Sequence, residues 1–151
     1  MKFKSLTIWT IVLSFVIPIG IGHGVLCLGL IEIFSPLAII VNKIKFEGED
    51  ISFSLNAVSE KSLFVAGTFA LIGHILLILS LTIRRYKAVF WMKISGLLFL
   101  WVSFLYLTHN ISNDASSQLD FFTGLPFLIF SIVLASKVIK EKLRGSVIGT
   151  D

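Results

Sequence analysis

The chain has 151 residues, of which 56% are hydrophobic and only 15% charged. Soluble domains average roughly 45–50% apolar and about 25% charged residues, so this composition excludes an ordinary soluble domain. The net charge of +4 is typical of a membrane protein that contacts anionic lipid headgroups, and we do not expect nucleic-acid binding.

Four long apolar blocks predict membrane-crossing helices. A hydrocarbon core of about 30 Å takes roughly 20 helical residues, and backbone groups in lipid must be hydrogen-bonded internally. We therefore predict an all-α integral membrane protein, a four-transmembrane-helix bundle that forms one domain over residues 1–151. The expected helices lie at about 6–33, 62–83, 88–108 and 120–139, with an outer segment at 36–61 and a cytoplasmic tail at 140–151.

The first apolar block is too long for one straight crossing. As a single helix, residues 6–41 would rise about 54 Å. Pro18 predicts a kink in the spanning part, because proline lacks an N–H and clashes with the preceding turn. Ser35 and Pro36 are typical of a helix stop and restart, with the serine as N-cap. One strongly tilted helix is the alternative.

The segment between the first two helices alternates apolar and polar residues on both sides of a Gly-Glu-Asp turn sequence at 48–50. This pattern predicts a short β-hairpin within residues 42–61 that caps the outer face of the bundle. An irregular loop whose apolar side chains enter the interface is the alternative.

Basic residues predict the orientation. Ten of the thirteen lie before the first helix, at or near the turn between the second and third, or at or beyond the end of the fourth. The positive-inside rule therefore predicts that both termini are cytoplasmic. We expect a multi-pass protein of the cell (inner) membrane, from a bacterium.

Three histidines fall one on each of the first three predicted helices. Ionisable groups in membrane helices are costly and usually mark functional sites. The depth of His109, at the end of its helix, excludes it from a shared site with His23 and His74. We predict His23 and His74 as a candidate cofactor pair, and His23, Cys27 and His74 as a candidate metal set, since Cys27 follows His23 by one helical turn. Ordinary hydrogen bonds to neighbouring helices are the alternative.

Small residues accompany these histidines, and they predict close helix–helix packing. On the first helix and the second helix respectively, they are Gly20, Gly22 and Gly24, and Ala66, Ala70 and Gly73.

A second group of polar residues predicts an outer mouth that binds a cation or a polar headgroup. Its members are Glu32, His109, Asn110, Asp114 and Asp120. The alternative for Glu32 is a side chain that simply reaches the headgroup layer.

The sequence indicates the function of the protein less directly than its fold. The chain has no Walker-type loop, H-E-x-x-H motif, nucleophile elbow or internal repeat, which disfavours a hydrolytic or nucleotide-using enzyme. We expect a non-catalytic accessory or assembly subunit, or a binder of lipid or a small hydrophobic ligand. A redox protein that binds haem, a metal ion or quinone through His23 and His74 is the alternative, and an oligomeric transporter or channel is the third. The expected partners are the lipid bilayer and either another membrane protein or further copies of the chain. The residues identify no specific cofactor.

Overall fold

The computed structural model describes residues 3–21, 24–40, 59–109, 111–112 and 115–147. Within these ranges the chain forms five helices and one two-stranded sheet. In chain order they are α1 (Lys4–Phe15), β1 (Pro18–Ile21), β2 (Gly24–Cys27), α2 (Leu28–Ile40), α3 (Ser59–Thr82), α4 (Tyr86–Thr108) and α5 (Ala115–Val147).

The predicted helical membrane architecture is confirmed in part. Among the described residues, three stretches are long and apolar enough to cross a membrane: Val65–Thr82, Tyr86–Thr108 and Ser117–Arg144. Helix α1 is apolar but has only 12 residues. Helix α5 runs to Val147 and so includes much of the segment that the sequence suggested as a tail.

The prediction of one kinked helix over residues 6–33 is wrong. The chain leaves α1 after Phe15 and forms an antiparallel hairpin whose register runs from Pro18↔Cys27 to Ile21↔Gly24. Each glycine inside a helix costs about 1 kcal/mol and a proline about 3 kcal/mol, so residues 18–24 oppose a helix strongly. Proline is accepted at the first residue of a strand, which is where Pro18 lies.

The base of the hairpin brings α1 and α2 together. The Leu28 amide donates a hydrogen bond to the Ile17 carbonyl at 2.8 Å. The Phe15 ring occupies the space that a Cβ on Gly29 would need. The end of α1 therefore lies against the start of α2.

Helix α2 continues through residues 35 and 36, so the predicted stop and restart at that point is wrong. The hairpin predicted within residues 42–61 falls almost wholly in segment 41–58, which lies outside the described residues.

Helices α3 and α4 form the most extensive interface. A Cβ on Gly73 would lie 2.9 Å from the Gly96 carbonyl oxygen, so the two backbones approach closely. The Ser103 hydroxyl donates to the Ala66 carbonyl at 2.8 Å further along. The contacting pairs are Gly73 with Gly96 and Ala66 with Ser103. Residue numbers thus rise along α3 as they fall along α4, so the two helices are antiparallel.

Helix α5 returns along α4 and also packs against α1. Near one end of the bundle, the Lys142 ammonium lies 4.2 Å from the centre of the Phe90 ring. Toward the other end, the rings of Phe104 and Phe121 are 6.2 Å apart. The Lys137 ammonium lies 5.7 Å from the Phe3 ring, so α1 begins beside the C-terminal half of α5.

Candidate functional site

Three polar side chains from three helices meet in the interior of the bundle. The Ser14 Oγ is 2.6 Å from the Nε2 of His74. The His74 Nδ1 is 2.7 Å from the Oε2 of Glu32. All three residues are buried, and Glu32 is only 1% exposed. We call Ser14, His74 and Glu32 the relay.

Ser14 ends a stripe of hydroxyl residues on one face of α1. Thr7, Thr10 and Ser14 follow one another at spacings of three and four residues, so they share a helical face. All three are buried. The hydroxyls of Thr7 and Thr10 donate to a carbonyl one turn earlier. The Ser14 Oγ lies within hydrogen-bond distance of two such carbonyls, Thr10 at 2.9 Å and Ile11 at 3.0 Å. Such back-bonding satisfies a hydroxyl where no water is present.

His74 lies at the middle of the Val65–Thr82 span of α3. Its ring centre is 6.0 Å from that of Phe15, which covers it from the end of α1. Glu32 reaches it from the second turn of α2. The imidazole thus joins the end of α1 to the start of α2, on opposite sides of the hairpin.

A serine hydroxyl has one proton, and this limits the states of the relay. If Ser14 donates to a carbonyl of α1, His74 must carry a proton on Nε2 and donate it to Ser14. One further proton is then shared between His74 Nδ1 and Glu32, and the pair is neutral overall. If Ser14 donates to Nε2 instead, His74 is neutral and donates from Nδ1 to an ionised Glu32. The two states differ by one proton.

The carboxylate of Glu32 is only half satisfied. Among the described residues, its Oε1 is buried and has no hydrogen-bond partner. An unpartnered buried carboxylate oxygen is costly, because neither water nor protein compensates its charge. The neutral, proton-bearing state of the relay reduces this cost. Oε1 also offers one open acceptor position beside the relay.

The hydrogen bonds of the relay compete with the binding of a cofactor at His74. A haem iron or metal ion must bind one imidazole nitrogen, and both are in hydrogen bonds here. A metal at Nε2 would have to displace the Ser14 hydroxyl. Within the described ranges, no group of three or more His, Cys, Asp or Glu residues could hold a metal ion.

The other members of the predicted cofactor and metal sets lie in or near the hairpin. Cys27, a partly buried free thiol, ends β2. His23 lies outside the described residues. The structure therefore does not describe the predicted pair of His23 and His74.

Two of the three glycines predicted to pack helices are not on a helix. Gly20 and Gly24 lie in the two strands, and Gly22 is outside the described residues. On α3, Ala66, Ala70 and Gly73 are buried. Ala66 and Gly73 contact α4.

The predicted outer mouth is not gathered in the described part of the chain. Glu32, expected there, is in the interior with His74. His109 is half-buried, and its Nδ1 donates to the Tyr106 carbonyl at 2.8 Å. Asp120 is buried near the start of α5. Asn110 and Asp114 lie outside the described residues.

Sequence reasoning missed Ser14 as a site residue. The signal was present in the Thr7, Thr10 and Ser14 stripe, which gives a polar face to an otherwise apolar helix. It also missed the pairing of Glu32 with His74. In a continuous first helix, Glu32 would lie near the outer end of the bundle, far from the depth of His74 along the membrane normal. The inserted hairpin removes ten residues of helical rise and brings the two together.

No family model, no curated protein and no solved structure matches this chain. The relay has the three groups of a nucleophilic triad in the usual order. However, Ser14 lies in the last turn of α1, where carbonyl oxygens and the helix dipole are negative. Acyl transfer needs N–H donors around a developing oxyanion. Proton exchange, by contrast, uses the hydrogen bonds that His74 already makes.

Proposed function

We propose that this protein is a non-catalytic membrane component that conducts protons through the relay, alone or with further copies of itself. The main observation in support of this proposal is the buried His74 imidazole, which is hydrogen-bonded on both nitrogens near the middle of a candidate membrane span. Histidine is the side chain whose charge changes most readily near neutral pH. Buried acid–histidine chains are typical of proton relays in membrane proteins.

The broken first segment supports this proposal. Helices α1 and α2 have 12 and 13 residues, which correspond to lengths of about 18 and 20 Å respectively. Neither helix alone crosses a hydrocarbon core of about 30 Å. In the proposed arrangement they form one discontinuous crossing, the fourth of the bundle. Discontinuous helices line polar sites near the midplane in several transporter folds. Four crossings leave both termini on one side, which the basic residues assign to the cytoplasm.

The two hydrogen-bonding states give the relay a mechanism. A proton that arrives at Nε2 turns the Ser14 hydroxyl toward the carbonyls of α1. The proton on Nδ1 can then leave through Glu32, which leaves His74 protonated on Nε2 alone. A rotation of the imidazole ring that exchanges the two nitrogens must follow before the Ser14 hydroxyl can donate to His74 again. The cycle therefore moves one hydroxyl and one imidazole ring and needs no rearrangement of the helices.

Proton flux into liposomes tests this proposal. The purified protein would be reconstituted with an internal pH dye and a potassium diffusion potential. We expect flux above that of empty liposomes, and its loss in Glu32→Gln, because an amide cannot hold the shared proton. Ser14→Ala should lose most of it as well. Ser80→Ala is the matched control, since this buried serine donates to the Leu77 carbonyl of its own helix and not to the relay.

Wild-type flux no higher than that of empty liposomes would overturn the proposal. Flux that survives Glu32→Gln would equally remove the relay from the path. Equal losses in Ser14→Ala and Ser80→Ala would show a general effect of removing a buried hydroxyl.

A second candidate function is acyl transfer by Ser14. The distances of 2.6 and 2.7 Å along Ser14, His74 and Glu32 favour it. A fluorophosphonate probe would label wild type and Ser80→Ala but not Ser14→Ala if Ser14 is a nucleophile. We expect no labelling of Ser14, because it is enclosed and next to carbonyl oxygens.

A further inference from the structure

A cavity of about 330 Å³ opens where α3 ends and α4 begins, beside the C-terminal half of α5. One wall is apolar and includes Val89, Phe90 and Val138. The charged residues that line it are Arg84, Lys93 and Glu141. None of them belongs to the relay.

Lys93 is the unusual member of this lining. It lies seven residues, or about 10.5 Å, from the start of α4, and only 5% of it is exposed. A buried ammonium requires a compensating anion. Glu141 attracts it electrostatically, but Arg84 adds a second positive charge to the same cavity.

A further cation stands at the rim. The Lys142 ammonium lies 4.2 Å from the Phe90 ring centre and 4.9 Å from that of Trp91. The cavity and its rim therefore hold three cations and one acid among the residues named. This excess favours an anionic occupant.

We propose that this cavity binds the phosphate-bearing headgroup of an acidic membrane lipid. The three spans end or begin here, at Thr82, Tyr86 and Arg144, which is the level of lipid headgroups. Lys93 and Arg84 meet the phosphate, and the apolar wall receives the start of an acyl chain. The site requires only that these helices span a membrane and is independent of proton conduction.

Native mass spectrometry of the detergent-solubilised protein tests the site. The ligands are phosphatidylglycerol, phosphatidylcholine with the same acyl chains, and inorganic phosphate. We expect wild type to retain phosphatidylglycerol at least about fivefold more tightly than phosphatidylcholine, and Lys93→Met to lower that affinity about fivefold. Lys87→Met is the matched control, because Lys87 is an exposed lysine on the same helix.

A second substitution, which is expected to raise the affinity, keeps the proposal testable if Lys93→Met does not fold. Glu141→Gln removes the acid from the lining and should tighten the binding of phosphatidylglycerol. Equal retention of both lipids, or an unchanged or weakened affinity in Glu141→Gln, would overturn the proposal. Competition by inorganic phosphate at the affinity of the lipid would assign the cavity to a free anion and would overturn it too.

Discussion

His74 is held by a partner on each ring nitrogen, and its removal should be costly. Substituting His74 by leucine leaves the buried Glu32 carboxylate without compensation, which typically costs about 3–5 kcal/mol. We expect that loss in the free energy of unfolding, measured by denaturation in mixed micelles. His109→Leu is the comparison, since the half-buried His109 bonds to the carbonyl of Tyr106 in its own helix, and about 1 kcal/mol or less is expected there.

The two charged members of the relay should not act additively. Glu32→Met with His74→Leu removes the buried carboxylate together with the imidazole. Replacing both members of a buried polar pair by apolar groups is often nearly neutral, whereas removal of one is not. We expect the double variant to unfold at higher denaturant than His74→Leu alone. Additive losses in the same titration would mean that His74 and Glu32 do not interact in the membrane.

The residues of the site were only partly predictable. The cost of burying an imidazole in an apolar helix identified His74 as a candidate from the sequence. It could not identify the partners, because their distance depends on the path of the chain between Phe15 and Leu28. Ser14 looked like an ordinary small polar residue until that path was known.

At the scale of the elements, the β-hairpin is the main departure from expectation. Apolar residues from Leu6 to Phe34 have the length and hydropathy of a helix, and a hydrophobicity pattern does not distinguish a buried strand from a buried helix segment. The alternation of isoleucine and glycine after Pro18 was the sign of a strand. The three longer helices contain no such run of glycines, and their positions followed from apolar length alone.

The first strand of the hairpin is anchored and the second is not. Strand β1 packs against α5, and its Ile19 is 1% exposed, whereas Val25 in β2 is 61% exposed. Ile19→Ala should cost about 2–5 kcal/mol, because it opens a cavity in the core. Val25→Ala should cost less than about 1 kcal/mol by the same micelle titration. Similar losses at both positions would contradict the packing of β1 against α5.

The approach of α3 to α4 depends on glycine. In Gly73→Ala the new methyl group would meet the Gly96 carbonyl at 2.9 Å and Leu100 at 2.8 Å. Overpacking of this kind typically costs 1–3 kcal/mol, despite the better helix propensity of alanine. Ile78→Phe adds volume on the exposed side of α3 and should cost little. A Gly73→Ala protein as stable as wild type would show that the two helices can separate freely.

For the whole molecule, the antiparallel helices α3, α4 and α5 predict which surfaces share a side of the membrane. Cys27 would be replaced by serine, and single cysteines introduced at the exposed positions Lys87, Gln118 and Arg144. A membrane-impermeant thiol reagent applied to intact cells should label Gln118→Cys only. Lys87→Cys and Arg144→Cys should react after permeabilisation. Labelling of all three in intact cells would contradict the proposed orientation.

The interruption between α1 and α2 has a consequence for biogenesis. Neither α1 nor α2 is long enough to partition stably into lipid as a span, and the open backbone of a hairpin is unfavourable there without protein around it. Helices α3, α4 and α5 each have the length and apolar character to insert alone. Helices α1 and α2 precede α3 and α5 in the chain, yet we expect them to reach their place only when α3 supplies His74 and α5 covers β1. The expected order of insertion therefore runs against the order of synthesis.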